Sequence, residues 1–357
     1  MRRRRRKTGI KKIMREKKIK NIFTVIASFT AVTGLLLMTP ACVPTYPKEK
    51  LPEAVKEVCK EEYDMDVDVT VVGNTMGIYC PMKGLMDAGM GISEEAWDRI
   101  SSLLLIASRV VLSTDAEVNF YCVITQDTRL PELQVVIIKY VKDVKLGMYR
   151  NISRSESFKR TLFSINLTPQ AKKERSIEQI FDKLGVEDGT RQKVLNEFFR
   201  SPPTKLSDVG YWRKHFYLKD VTMEEFLAAQ IANRVKIDFR SDKKLTQVFD
   251  YKVAESSFVA SDDKRAFVLK FKIAEQKTDE EDPGLRQKKI REIVRIVNEV
   301  VRGYKFKDFD LLILEDQLEN VRLRISGQDV YDFNEKKLGV KDIVQAPGSY
   351  FLKGNAQ

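Results

Sequence analysis

Residues 67–80 read Val67-Asp68-Val69-Thr70-Val71-Val72-Gly73-Asn74-Thr75-Met76-Gly77-Ile78-Tyr79-Cys80. Val67, Val69 and Val71 alternate with polar neighbours, the period of a half-buried strand, and Gly73-Asn74 is a tight-turn pair before the apolar run from Met76 to Cys80. The stretch predicts a β-hairpin. Downstream the period changes. Ser93 followed by Glu94 and Glu95 reads as a helix start, a capping hydroxyl with acids at the positive end of the dipole. Ala96, Ile100, Leu103, Leu104, Ala107, Val110 and Val111 then form one apolar stripe at helical spacing. Residues 116–125 and 133–140 return to strand patterning, separated by a loop at 126–131. The order over residues 65–141 is therefore β-β-α-β-β, with a short helix after it.

The same order returns near the C-terminus. Residues 248–259 and 266–274 read as paired strands around Ser261-Asp262-Asp263, and Pro283-Gly284 leads into a helix with apolar positions Ile290, Ile293, Val294, Val297, Val300 and Val301. Residues 309–314 and 321–325 are two further strands. After each final strand comes a similar phrase, Lys142-Asp143-Val144 and then Gln328-Asp329-Val330-Tyr331. The repetition reads as a diverged internal duplication; the alternative is that one helix across one antiparallel sheet is a two-layer solution easily reached twice. Between the halves lie helical patterns at 176–184, 190–199 and 222–235, interrupted by Ser201-Pro202-Pro203.

The expected fold class is α+β, with two two-layer domains, antiparallel sheet and packed helix, joined by a mostly helical connector. The expected organisation is a leader at 1–41, a Pro-rich tether at 42–52, a first domain at 53–150, the connector at 151–240, a second domain at 241–345 and a tail at 346–357.

Charge is distributed unevenly along the chain. The 357 residues hold 63 Lys and Arg against 51 Asp and Glu, but twelve of the bases and one of the acids precede Cys42. From Cys42 onward 51 bases face 50 acids. The basic excess thus belongs to the leader, and the body has no footprint for binding a phosphate backbone, so nucleic acid is not an expected partner. The leader runs from a cationic stretch ending at Lys20 into residues 22–41, which carry no charge, and then to Ala41 before Cys42. That is the secretory pattern. A run of this length is also enough to cross a hydrocarbon core of roughly 30 Å, so a single retained N-terminal transmembrane helix is the rival. Basic residues keep the N-terminal side cytoplasmic under either reading. Met14 is an alternative start that supplies a compact basic region.

The stretch Leu36-Leu37-Met38-Thr39-Pro40-Ala41-Cys42 resembles the lipobox of bacterial lipoproteins. Ala41 and Cys42 match that pattern, whereas Thr39 and Pro40 stand where the family uses Leu and a small residue. The resemblance implies diacylglycerol on Cys42, cleavage before it and a membrane partner reached through the lipid. Val43, in place of Asp, permits an outer-membrane address if the host is diderm. Pro44, Pro47 and Pro52 favour an extended tether over a helix.

Catalytic patterns are sparse. The one histidine, His215, lies in Tyr211-Trp212-Arg213-Lys214-His215-Phe216-Tyr217. A single His removes multi-His zinc sites, and no Gly-x-Ser-x-Gly elbow or phosphate-binding Gly-rich loop is present. No cofactor and no metal are expected, and no catalytic residue is assigned. The aromatic and cationic run makes Trp212 and His215 candidate ligand contacts, or else a linker laying its rings on a neighbouring domain. Cys80 and Cys122, both in predicted strands, are candidates for a disulfide or for small buried apolar residues; Cys59 completes an odd set of thiols.

Gly84-Leu85-Met86-Asp87-Ala88-Gly89, then Ile92-Ser93-Glu94-Glu95-Ala96, a helix and the strand at 117–125 resemble the start of an OmpA-like peptidoglycan-binding domain. The resemblance implies a ligand-binding role for Asp127. The Asn, Leu-Ser and Arg-Ala pattern of that family is not cleanly present, and Asn151-Ile152-Ser153-Arg154 is a distant echo. Two function classes follow: a non-catalytic envelope lipoprotein with a cell-wall or envelope-protein partner, or an envelope-anchored enzyme such as a hydrolase whose site is assembled only by the fold.

Overall fold

The computed structural model describes residues 46–89, 91–199, 203–261, 264–276, 284–333 and 352–353. The leader, Cys42 and most of the tail therefore lie outside the described residues. The hairpin forms as expected: β1 (Asp68–Val72) pairs antiparallel with β2 (Thr75–Met82). Gly73, at φ +58°, makes the turn. An L side chain there would be strained by the backbone and would also strike the Asp220 carboxylate. Helix α2 (Glu94–Leu112) starts at Ser93, whose hydroxyl accepts from Ala96 N–H, and it buries the predicted stripe: Ala96, Ile100, Leu103, Ala107, Val110 and Val111. Strands β3 (Phe120–Asp127) and β4 (Leu133–Tyr140) follow, then helix α3 (Val141–Met148).

Helix α1 (Leu51–Tyr63) precedes the hairpin and takes in Leu51 and Pro52, the last two residues of the expected tether. Pro52 falls in its first turn, a place where the missing N–H has no helical partner to lose. The chain is engaged even earlier, since Tyr46 N–H donates to Ser113 O at 3.3 Å.

The second half repeats the first. Helices α7 (Met223–Ser241) and α8 (Lys243–Thr246) lead into β8 (Phe249–Ser261) and β9 (Lys264–Glu275), helix α9 (Leu285–Gly303), β10 (Leu311–Asp316), β11 (Val321–Ser326) and helix α10 (Gly327–Asp332). The strand orders β1-β2-β3-β4 and β8-β9-β10-β11 correspond. In each half the central pair is parallel, with Ile78 opposite Val123 and Val268 opposite Ile313, so the sheets are mixed rather than wholly antiparallel. The cause is the long helix between the paired strands: it carries the chain back to the end of the sheet where the preceding strand began, the condition for parallel neighbours.

Residues 151–240 are mostly helical, as expected, and are built into the two halves rather than set apart from them. After α4 (Arg154–Lys159), β5 (Leu162–Leu167) joins the first sheet beside β4. Then come α5 (Pro169–Leu184), α6 (Asp188–Phe198) and a small hairpin, β6 (Gly210–Trp212) with β7 (His215–Tyr217). Helix α7 closes the stretch and gives Leu227, Ile231, Val235 and Phe239 to the second core.

The two sheets are covered differently. Met76, Ile78, Tyr121, Val123, Val135 and Ile137 face α1 and α2, while Tyr79, Phe120, Ile124 and Val136 form a second core with Val209, Tyr211, Leu218 and Phe226. Burial on both faces explains the continuous apolar runs of β3 and β4. The second sheet buries Phe267, Leu269, Phe271 and Ile273 under its helices and leaves Lys270 and Lys272 exposed on the other face. Strand β12 (Leu352–Lys353) pairs with β11. Among the described residues no helix is long and apolar enough to cross a membrane.

Candidate functional site

The segment 169–217 carries a small apolar centre of its own: Phe181, Leu195, Phe199 and Tyr217, with Ile177, Val186 and Trp212 against it. It is fixed to the first sheet through the hairpin. Tyr211 stacks on Tyr79, centroids 3.6 Å apart and 8° from parallel, and its hydroxyl donates to Asp68 Oδ2 at 2.7 Å. The Gln134 side chain brackets the Tyr211 backbone, accepting its N–H at 3.1 Å and donating to its carbonyl. The turn of the hairpin is Arg213-Lys214, both left-handed at φ 50° and 62°. Glu174 of α5 holds it: it accepts from Arg213 Nη2 at 2.6 Å, Arg213 Nε at 3.0 Å and Trp212 Nε1 at 2.6 Å. Burial works against ionisation of the Glu174 carboxyl, but Arg213 and Trp212 outweigh it and hold the group below the usual carboxylate range.

Beside this centre lies an open cleft of about 490 Å³. Gln170 and Lys173 of α5 and Val194, Glu197 and Phe198 of α6 line it, and Pro203, Asp208 and Tyr217 complete it. Helix α6 explains why it is open. Leu195 and Phe199 are buried, while Val194 and Phe198, also four apart, are 41% and 49% exposed. The helix therefore carries two apolar stripes and the fold uses one. Tyr217 spends its hydroxyl on Phe199 O at 2.8 Å, and burial pushes it up to about 12. The cleft offers a ring face, a cation and two carboxylates to something that lies along it.

Trp212 and His215 are cross-strand neighbours in the β6–β7 hairpin, and neither lines the cleft. The Trp212 indole N–H is taken by Glu174, and His215, opposite it in the hairpin, is exposed outside the cleft. The second expectation for this run, rings laid on a neighbouring domain, describes Tyr211. Asp127 is fully buried, and both its oxygens are committed, to Leu85 N–H at 2.9 Å, Arg129 N–H at 2.8 Å and the Arg129 guanidinium at 3.0 Å and 3.2 Å. It closes loops and presents nothing outward.

Cys80 and Cys122 form no disulfide. They face opposite cores of the first sheet, and in the parallel register Cys122 lies opposite Gly77. Burial pushes the Cys59 thiol up to about 12 and Cys80 to about 11, and raises Cys122 as well. Among the described residues no group of three or more His, Cys, Asp or Glu is placed to hold a metal ion.

Sequence reasoning singled out Trp212 and His215 in this segment, and neither lines the cleft. Lys173, Glu197, Phe198 and Tyr217 were missed, although the doubled stripe of α6 was readable. No family model matches the chain, and no curated protein and no solved structure resembles it significantly.

Proposed function

We propose that the chain is a non-catalytic lipoprotein of a bacterial cell envelope, held to a membrane by an acylated Cys42 and offering the cleft between α5 and α6 to a cell-wall or envelope-protein partner. The observation that carries this reading is the segregation of charge. Twelve bases and one acid precede Cys42, an uncharged run of secretory type ends at Ala41, and the remainder is nearly neutral. Only residues 43–45 separate Cys42 from Tyr46, where the described fold begins. Four residue steps span at most about 14 Å. An acyl group on Cys42 thus keeps the start of the body close to the lipid surface. Mass spectrometry of the N-terminus of the membrane-extracted protein tests the reading. The expected species begins at Cys42 and carries diacylglycerol; an intact, unmodified leader replaces it with a transmembrane anchor.

A hydrolase is the second reading, and it draws on Glu197 and Asp208 lining one cleft. Binding is preferred because Glu197 is exposed and Asp208 half-buried, whereas paired-carboxylate catalysis shields one acid so that it keeps its proton. Turnover of labelled cell-wall fragments that is lost in Glu197→Gln and Asp208→Asn would reverse the preference.

A further inference from the structure

Residues 142–160 form α3, a turn and α4, and they expose three large apolar side chains within eleven residues. Met148 is 66% exposed, Tyr149 76% and Phe158 62%. Lys142, Lys145, Arg150 and Arg154 are exposed around them and Lys159 is half-buried. The only acids of this stretch, Asp143 and Glu156, point inward. Asp143 accepts from Arg160 Nη1 at 2.9 Å, and Glu156 accepts from Arg160 Nε and Arg234 Nη2 at 2.7 Å each. The surface is left with five cations, three apolar side chains and no free carboxylate.

One of the cations is kept against the preference of the backbone. Arg150 N–H donates to Gly147 O at 3.1 Å and Asn151 N–H to Leu146 O at 2.8 Å, the double closure that ends a helix with a left-handed residue. Arg150 is that residue, at φ 57°, where glycine is the unstrained choice. The residue that stands there adds an exposed cation to this surface. The surface also lies at the end of the first sheet where the chain enters the fold. Tyr46 bonds Ser113 in the segment leading to β3, β4 ends opposite the start of β3 with Tyr140 facing Phe120, and α3 follows directly.

We infer that this surface docks on an anionic lipid bilayer, with Tyr149, Met148 and Phe158 entering the headgroup layer and the cations facing lipid phosphates. Tyr is suited to that layer by its apolar ring and polar tip. Each cation near a negatively charged leaflet strengthens the contact about fivefold. The inference rests on the membrane address proposed above but not on the kind of anchor.

The test uses the full-length protein in vesicles of phosphatidylcholine alone or with about 30% phosphatidylglycerol. Ser155→Cys puts an exposed thiol in the surface while leaving its cations and rings in place; Cys59, Cys80 and Cys122 are buried, and Cys42 is blocked by its acyl group or, where the leader is retained unmodified, replaced by Ser. An environment-sensitive dye at 155 is expected to shift to the blue and to be quenched by nitroxide lipids only in the anionic vesicles. High salt should reverse both effects. The same dye at Leu184→Cys on α5 should report water throughout. Combining Lys145→Gln, Arg150→Gln and Arg154→Gln should weaken docking about 100-fold at low salt. Arg150→Gly separates docking from folding: the dye response should fall while Tm holds or rises. A dye at 155 that reports water in both vesicle types, or that responds to nucleic acid or an acidic protein and not to vesicles, overturns the inference. Mass spectrometry of the same sample reads the Cys42 anchor separately.

Discussion

Asp127 is the last residue of β3, and Asp316 is the last residue of β10; each gathers backbone N–H groups from the turn beyond its strand. Asp127 takes Arg129 N–H and, from the loop after β2, Leu85 N–H, whereas Asp316 takes Leu318 and Glu319 N–H together with the buried Lys289 ammonium at 2.8 Å. The first of these carboxylates was visible in the sequence as a residue of interest, but its occupation was not. One of its partners, Leu85, is 42 residues away. Hydrogen bonds from the Arg129 side chain, opposed by burial and supported by backbone N–H groups, hold the Asp127 carboxyl at about 2, below its ordinary 3.8. The folded state thus favours the ionised form. That contribution to stability is complete above the ordinary value and is lost as pH falls toward about 2. Asp127→Ala leaves the Leu85 and Arg129 N–H groups unpaired and should lower stability by about 1–3 kcal/mol in denaturant titrations at neutral pH. The difference between wild type and Asp127→Ala should shrink on titration from pH 5 to pH 2. A difference that grows over that interval would mean that the buried group is the neutral acid.

At the level of elements, the parts with one clear period were legible. The hairpin at 67–80 stands on the alternation of β1 and its Gly-Asn turn, and α2 on a stripe that buries one face. The elements that were missed lack that simplicity. Helix α1 opens with Leu51-Pro52 after two earlier prolines, and β5 is six residues whose partners lie in β4 rather than next to it in sequence. The β6–β7 hairpin was hidden by its turn, since a two-residue turn of this sort favours Asn-Gly and the chain has Arg213-Lys214. Tertiary contacts supply what the turn residues do not: Glu174 holds Arg213, and Tyr211 is clamped on the first sheet. Arg213 is thereby accounted for. Lys214 is exposed, so Lys214→Gly should relieve its left-handed backbone and stabilise the protein by about 0.5–1 kcal/mol. Arg213→Asn should destabilise instead, because it frees Glu174. Thermal unfolding of the two variants checks the opposite signs; a loss of stability in both would show that Lys214 holds a contact in its own right.

Across the whole molecule, the two repeated halves meet at a seam in which charges and rings are mixed. Arg160, the residue that follows α4, donates to Asp143 of α3 and to Glu156, stacks over the Tyr304 ring at 4.8 Å, and has its carbonyl taken by Gln230 of α7 at 2.7 Å. Tyr304, just after α9, donates to Asp143 at 2.6 Å, and Arg234 of α7 reaches Glu156 at 2.7 Å. Phe120 and Phe226 pack beside them with centroids 5.2 Å apart. Two acids and two bases are thus shared between α3 and α4 on one side and α7 on the other, and β5 and α7 cross from the middle segment into the halves. The middle segment therefore has no independent role as a linker, and the body should unfold as one unit. A form lacking residues 1–41, with Cys42→Ser, should be recovered without detergent and show a single cooperative transition, because the strongly basic and apolar stretches both end before Cys42. Arg160→Met in that form keeps the stem of the side chain but leaves Asp143 with the Tyr304 hydroxyl as its one partner in the seam. Breaking a buried ion pair from one side costs about 3–5 kcal/mol. The variant should lose that much and, because the guanidinium also covers the Tyr304 ring of the second half, its transition should broaden or divide. Two transitions in the parent form would instead mean that the halves fold independently and that the seam is a late contact. Recovery only with membranes would mean that residues before Cys42 contribute to the fold.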